Sequence, residues 1–429
     1  LAVIADDLTG ANDTAVQFAK CGIRTCVKLG CNGETIQSEE SDVIVIDTDS
    51  RDMKADAAYR VVKKACEAVK AQQVENIYKK VDSTLRGNLG AEIAAADDVF
   101  HPDAVVIAPA FPSNQRITIG GYHFLDGMPI ELTEIAHAPK TPVKESQIKK
   151  LLQKQTKCRI ASISLSVMKK GVEATQQAVE QCLLRKERWI VFDVADEDDF
   201  DIIFAAMQFC KNVLWVGSAG LANHLPKHYK WSEKKKTALP SLPGSVLIVA
   251  GSVSHITQRQ IKEVMQKPGI CFVKLTMPQV FTDRDAVIAY CREKINQHIA
   301  AGFDVLFVSA VSDEDVSETM RAGRECGMRA KEVSELTAGT LAEVVQGLHL
   351  KGISGLVLTG GDTAIHVCKA IGAKSIEILE EISNGVPLGC LIGGACQSMK
   401  VVTKAGAFGA KDVFSKAVEQ IKKTEVGKE

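Results

Sequence analysis

Ala2-Val3-Ile4-Ala5-Asp6-Asp7-Leu8-Thr9-Gly10-Ala11-Asn12-Asp13-Thr14 reads as a short apolar strand, a polar loop and the start of a helix. Asn12 is the expected helix cap, and Ala11, Ala15, Phe18 and Ala19 recur at helical spacing on one apolar face. Cys21-Gly22 closes the helix, with glycine where a left-handed residue is favoured. Asp6, Asp7 and Asp13 therefore gather where a strand hands over to a helix, the place where α/β proteins bind ligands. A helix N-terminus attracts phosphate, but three carboxylates repel it unless a metal intervenes. They suit sugar hydroxyls, which donate hydrogen bonds, or a cation. The alternative is a set of solvated first-turn acids favoured by the helix dipole.

The rest of the first half repeats this unit. Strands are expected at residues 23–29, 43–47, 77–81, 105–108, 160–165, 189–194 and 213–216. Between two of them, Ala58, Val61, Val62, Ala65 and Val69 mark a helix. Such alternation implies a largely parallel sheet covered on both faces. Polar clusters follow the strands: Asp47-Thr48-Asp49-Ser50-Arg51, then Asp82-Ser83-Thr84-Leu85-Arg86-Gly87-Asn88. In a parallel sheet these loops share an edge with the opening one, so a composite site is expected. Arg51 and Arg86 can each grip a carboxylate or phosphate through the guanidinium fork, while the acids take hydroxyls. Together they describe a small polyhydroxylated anion such as a sugar acid. The competing reading is an Arg–Asp network that only ties the loops together. Residues 111–142 carry Pro112, Pro129, Pro139 and Pro142, and Gly120-Gly121 and Asp126-Gly127 suggest the turns of a hairpin or flap. His123 there either touches substrate or is structural.

Residues 231–244, with Lys234-Lys235-Lys236, Pro240 and Pro243, read as a linker between domains at 1–230 and 245–429. The second half restarts the rhythm with strands at 246–250, 305–309 and 356–358. The first runs into Gly251-Ser252-Val253-Ser254-His255 and a helix, the last into Thr359-Gly360-Gly361-Asp362-Thr363-Ala364 and another. This second loop has exposed amides that can cradle phosphates. Gly389, Gly393-Gly394 and Lys404-Ala405-Gly406-Ala407-Phe408-Gly409 add glycines that would let backbone approach a nucleotide. Neither the dinucleotide fingerprint nor the P-loop occurs, nor do the zinc-protease and nucleophile-elbow motifs. The expected fold class is α/β, with two domains, each a mainly parallel sheet flanked by helices.

A chain of 429 residues, 46% apolar and 24% charged, has the composition of a globular protein of two or three domains. Its 52 basic and 53 acidic residues give no reason to expect nucleic acid or an anionic membrane as partner. The 13 cysteines show neither C-x-x-C nor zinc spacing and read as reduced thiols of a cytoplasmic protein, Cys21, Cys26 and Cys31 included.

Residues 4–14 and 82–88, Gly251-Ser252-Val253-Ser254 and Thr359-Gly360-Gly361-Asp362-Thr363 together resemble the four-carbon acid sugar kinases, over nearly the whole chain. The Asn12-Asp13-Thr14 ending is most similar to the D-threonate and D-erythronate kinase branch, rather than to the 3-oxo-tetronate kinases. The segment from Pro109 to Arg116 departs from the family pattern at Gln115, as does the following Ile117. The resemblance implies an N-terminal substrate domain and a C-terminal ATP domain. It implies that Asp6, Asp7, Arg51, Asp82, Ser83, Thr84, Leu85 and Arg86 contact the sugar acid. It assigns ATP to Ser254, Gly360, Gly361, Asp362, Thr363 and Gly406, with Asp362 near Mg²⁺. The implied reaction moves phosphate from ATP to the 4-hydroxyl of a four-carbon acid. Asp7 and Arg86 are then the catalytic pair, Arg86 and Arg51 holding the carboxylate and Asp7 or Asp6 orienting hydroxyls. Partners are small molecules, with a homodimer open. The alternatives are a non-catalytic binding or sensor protein and, less favoured, a nicotinamide-dependent dehydrogenase.

Overall fold

The computed structural model describes residues 1–30, 41–138, 140–231, 242–406 and 408–423. Cys31, Pro139, Ala407 and most of the expected linker, with its lysine run and Pro240, lie outside the described residues. The chain divides into two compact units, Leu1–Lys234 and Lys235–Glu429.

In the first unit the apolar runs form β1 (Ala2–Ala5), β2 (Thr25–Leu29), β3 (Val43–Asp47), β4 (Ile77–Lys80) and β5 (Ala104–Ala108). A small antiparallel sheet follows, of β6 (Arg116–Ile119), β7 (Tyr122–Leu125) and β8 (Met128–Pro129). Then come β9 (Ile160–Ile163), β10 (Trp189–Phe192) and β11 (Val213–Gly217). The main sheet runs β2-β3-β1-β4-β11-β5-β10-β9, and every pair in it is parallel. Its strands are buried on both faces, which is why they read as continuous apolar runs rather than as alternation. Ile4, Ile46, Val62, Ile93 and Trp189 share one core cluster on this sheet. The flap turns fall at Gly120-Gly121 and Asp126-Gly127, with φ of 61° and 78°, then 51° and 78°. Left-handed pairs of this kind match the twist of a hairpin.

The helix after β1, α1 (Leu8–Lys20), starts earlier than expected. Asp7 is its cap: the backbone there is extended, and the carboxylate accepts from the Gly10 N–H. Asn12 lies buried inside the helix, so the capping role expected of it is corrected. Thr9 and Gly10 are weak helix formers, but tertiary packing overrides propensity here. A Cβ on Gly10 would sit 2.7 Å from the Lys80 ammonium. At the other end Gly22 has φ 71°, and its N–H and that of Ile23 close the last turn. Helices α2 (Ala55–Lys70) and α3 (Leu89–Phe100) pack together over the sheet.

The second unit holds β12 (Ser245–Ala250), β13 (Ile270–Lys274), β14 (Asp304–Val308), β15 (Ile353–Thr359), β16 (Ser375–Ser383), β17 (Val386–Ile392) and β18 (Lys400–Lys404). Their order is β13-β14-β12-β15-β18-β17-β16. The run from β13 to β18 is parallel, whereas β17 is antiparallel to both of its neighbours, so this sheet is mixed. Gly389 is not a ligand loop. It lies within β17, where a Cβ would sit 2.5 Å from the Ile376 side chain. Gly393 and Gly394 turn the chain after β17, packed on Lys374 and Gly372. No helix among the described residues is long and apolar enough to cross a membrane.

Candidate active site

In the first unit β3, β1 and β4 are adjacent, so the loops leaving their C-terminal ends meet. Arg51 is the centre of what they build. Its Nε and Nη2 donate to Asp6 at 2.7 and 3.0 Å, and its Nη1 and Nη2 donate to Asp7 at 2.6 Å each. Asp82 Oδ1 stands 3.6 Å from Nη2. Arg86 is held by Asp82, with Nε at 2.8 Å and Nη2 at 3.1 Å, and Nε also donates to Thr84 Oγ1. The Thr84 hydroxyl donates to the same carboxylate. Leu85 turns this loop in the left-handed region, at φ 61°, with its side chain buried. Asn88 donates to the carbonyls of Ser50, Arg51 and Met53 and so fastens the second loop to the third. The structure thus brings Asp6, Asp7, Arg51, Asp82, Thr84 and Arg86 together. Asp13 lies further along α1, near Tyr78 rather than Arg51.

Beneath this layer are residues with no counterpart in the sequence reading. Lys79, on β4, pairs with Glu92 of α3 at 2.8 Å, and both are buried. Glu92 also accepts from Ser50 Oγ, which is 2.8 Å from Thr48 Oγ1. Burial pushes the Glu92 carboxyl up against the pull of Lys79. Lys80 faces the acids from the same strand and donates to the Val81 carbonyl. Two lysines in an otherwise apolar strand were the available signal.

The acids are not equivalent. Burial opposes charge on Asp6, but Arg51, Lys79 and Lys80 outweigh it and hold its carboxyl below the ordinary range. Burial likewise opposes charge on Asp82, and Arg86 with Arg51 takes it well below. Asp7 goes the other way: burial, reinforced by Asp6 and Asp82, lifts its carboxyl above the usual value despite Arg51. Its side chain is also the most open of the three, 21% exposed against 4% for Asp6 and 10% for Asp82. The Arg86 side chain is 35% exposed.

The flap is fixed to this site by His123. Its Nε2 lies 2.8 Å from the Ser83 carbonyl and its Nδ1 3.0 Å from Thr118 Oγ1. The ring therefore donates to one and accepts from the other, as a neutral imidazole. Burial draws its pKa from 6.5 to about 4. His123 is a structural tie, the blander of the two readings. Below pH 6.5 the unfolded chain binds a proton that the folded one refuses. Stability from this group is full above that pH and is lost as pH falls toward 4. Urea unfolding should show wild-type stability falling by up to about 3 kcal/mol more than that of His123→Gln on acidification.

In the second unit β12, β15 and β18 are neighbours, and three further loops leave their C-terminal ends. Ser254 caps the helix His255–Val264, accepting from the Thr257 N–H at 3.1 Å and donating to the Gly406 carbonyl at 2.7 Å. Gly406 has no room for a side chain, since a Cβ would meet Ser252 Oγ at 2.2 Å. Gly360, at φ 100°, caps the helix Gly361–Ala370, with Asp362 in its first turn and Thr363 buried beside it. The first-turn amides of both helices have no intrahelical partner, a ready site for phosphate. A single carboxylate among amides and hydroxyls also suits Mg²⁺, which keeps several waters and is bound through one or two acids plus phosphate oxygens.

Comparison with known proteins agrees with this division of chemistry. Residues 1–225 match the sugar-binding N-terminal domain family and residues 247–414 the nucleotide-binding C-terminal domain family. The chain is 32% identical to a D-threonate kinase of Salmonella typhimurium, over 99% of each chain. It is 32% identical to a D-erythronate kinase of Heliobacterium modesticaldum, over 98% of this chain and 96% of the other. Relatives at 25–27% identity are 3-oxo-tetronate kinases. A solved structure from Salmonella typhimurium LT2 superposes with a TM-score of 0.82, at 25% identity and 98% coverage of both chains. With both domain families matched and relatives aligned from end to end, the chain belongs to the four-carbon acid sugar kinase family.

Proposed function

We propose that this kinase transfers the γ-phosphoryl group of ATP to the 4-hydroxyl of D-threonate or D-erythronate. Asp7 carries the reading: it is the most open of the acids around Arg51, and its carboxyl is lifted toward the range of a working base. Asp7 orients the 4-hydroxyl and accepts its proton as the oxygen attacks phosphorus. The bond from phosphorus to the bridging oxygen breaks, and ADP leaves. Phosphoryl transfer asks the protein mainly for placement and charge neutralisation. Arg86 supplies placement, its partly exposed guanidinium meeting the sugar acid's carboxylate. Arg51 is committed to Asp6 and Asp7 and acts through them, shaping the acids rather than gripping substrate itself. Asp6, Asp82, Ser83, Thr84 and Leu85 form the wall of the sugar site. On the second unit Ser254, Gly360, Gly361, Thr363 and Gly406 hold the nucleotide, and Asp362 would hold Mg²⁺. The metal, when bound, neutralises charge on the transferred phosphoryl group.

The choice of acid rests on relatives at 32% identity, against 25–27% for the 3-oxo-tetronate kinases, and on the Asn12-Asp13-Thr14 ending of the first motif. ADP release measured with D-threonate, D-erythronate and 3-oxo-tetronate tests it, with phosphorus NMR locating the ester. Preference for 3-oxo-tetronate would overturn the assignment. Arg86→Ala should raise KM for the sugar acid by about tenfold or more while leaving KM for ATP unchanged. An unchanged sugar-acid KM would remove Arg86 from the carboxylate.

A further inference from the structure

Lys404 ends β18 and is buried, with 2% of its surface exposed. Its ammonium donates to the carbonyls of Ala405 at 2.9 Å and Gly406 at 3.2 Å, and to Thr257 Oγ1 at 3.3 Å. All three partners are neutral. Among the described residues it has no acidic partner, unlike Lys79, which is buried to the same degree but has Glu92. Charged groups of the surrounding elements have other partners, among them His255, at the start of helix His255–Val264, which lies 3.7 Å from Asp313. Glu263, on helix His255–Val264, takes Lys267 and Ser415. Asp412, ahead of helix Val413–Lys422, takes Lys416, and that helix presents the Phe414 ring to Lys404. His366, on helix Gly361–Ala370, bonds the carbonyl of Asp362 in its own helix. Lys400, earlier on β18, donates to the carbonyls of Ile421 and Lys423. In register with Lys404 across the parallel pair is Thr359, whose buried hydroxyl has no hydrogen-bond partner. An uncompensated buried cation and an orphaned hydroxyl on one sheet face both ask for an explanation.

We propose that the counter-charge of Lys404 is the phosphate chain of the bound nucleotide, and that Lys404 is a phosphate-binding residue of this site. The inference rests on the nucleotide reading of the second unit given above. Its geometry is specific, because the groups the ammonium holds, Gly406 and Thr257, are those bonded to Ser254: the Gly406 carbonyl accepts from its hydroxyl, and the Thr257 N–H donates to it. A cation placed under that loop makes the phosphates' arrival favourable and keeps the carbonyl of Gly406 turned away from them. Burial alone draws the Lys404 pKa from 10.5 to about 7 in the ligand-free protein. Phosphate beside it would restore the charge, so nucleotide should bind together with a proton when the solution is more basic than that.

The test is calorimetric titration of ADP, without metal, at about pH 8 in HEPES and in Tris, whose ionisation enthalpies differ. The wild type is expected to take up close to one proton per ADP bound, and none on binding adenosine. Lys404→Met should bind ADP at least about tenfold more weakly, without proton uptake, and adenosine as before. ADP binding by the wild type with no proton uptake would overturn the proposal and leave the nucleotide site standing. So would equal affinity and uptake in Lys404→Met. Failure of both ADP and adenosine to bind would overturn the nucleotide reading and the role of Lys404 with it. Absence of uptake in the wild type overturns the proposal even if the variant does not fold.

Discussion

Asp7→Asn lowers turnover by about 10²- to 10⁴-fold, the range that a general base contributes. Asparagine keeps the cap on α1, since its side-chain oxygen can still accept from the Gly10 N–H. It keeps the size of the side chain and the acceptor facing Arg51 Nη2, but it sets a non-accepting amide opposite Arg51 Nη1 and removes the carboxylate that takes the proton. Nucleotide affinity is expected to stay at the wild-type value, because Asp7 belongs to the first unit and the loops proposed to hold the nucleotide belong to the second. Steady-state kinetics with a separate nucleotide titration checks both halves. An Asn variant that turns over near the wild-type rate would exclude Asp7 from proton transfer. The acid limb of the rate profile gives a second readout. It should fall below a pKa raised above that of an ordinary aspartate, and it should vanish in the variant.

Arg51→Ala is the change expected to cost the first unit most stability. Its guanidinium satisfies all four oxygens of Asp6 and Asp7 and approaches Asp82 as well. Removing it leaves like charges crowded in a buried site, for which breaking a buried pair costs about 3–5 kcal/mol. For a domain of this size that corresponds to a fall in Tm on the order of 10 °C. Arg51→Lys should recover only part of the loss, since a single ammonium cannot bridge the two carboxylates as a planar fork does. Differential scanning calorimetry of the three proteins decides this. A Tm for Arg51→Ala within about 2 °C of the wild type, less than one kcal/mol by the same scale, would mean that the cluster stabilises little.

The positions of the polar loops were legible because a parallel sheet puts every strand's C-terminal loop on one edge. Apolar runs ending in Asp6-Asp7, in Asp47 to Arg51 and in Asp82 to Asn88 were enough to foresee that these polar loops share one edge. The flap was legible from its two glycine turns. What sequence could not give was the pairing inside the site. Either arginine had the chemistry to hold substrate, and only geometry commits Arg51 to Asp6 and Asp7 while leaving Arg86 partly open. The start of α1 was misplaced because Leu8-Thr9-Gly10 lacks strong helix formers, and the close approach of Lys80 that favours Gly10 is a tertiary fact. The antiparallel strands β16 and β17 were hidden for a different reason. Glycine in Gly389 reads locally as a loop, yet here it makes room for the neighbouring strand's Ile376. Lys404 was quoted only as part of a glycine-rich stretch. Nothing in a string of letters says that an ammonium lacks a partner.

The Lys79–Glu92 pair under the Arg51 cluster constrains how this protein can drift. Neither residue touches the Arg51 fork, yet exchange of either one alone for an uncharged residue strands an opposite charge in a dry interior. A lineage that loses one must pass through a crippled intermediate unless the other changes at nearly the same time. Exchange of both for apolar residues of matching volume is by contrast close to neutral for stability. The two positions should therefore be inherited as a unit, either both ionic or both apolar. The floor of the site then evolves in steps of two residues, while the loops above it can change one residue at a time.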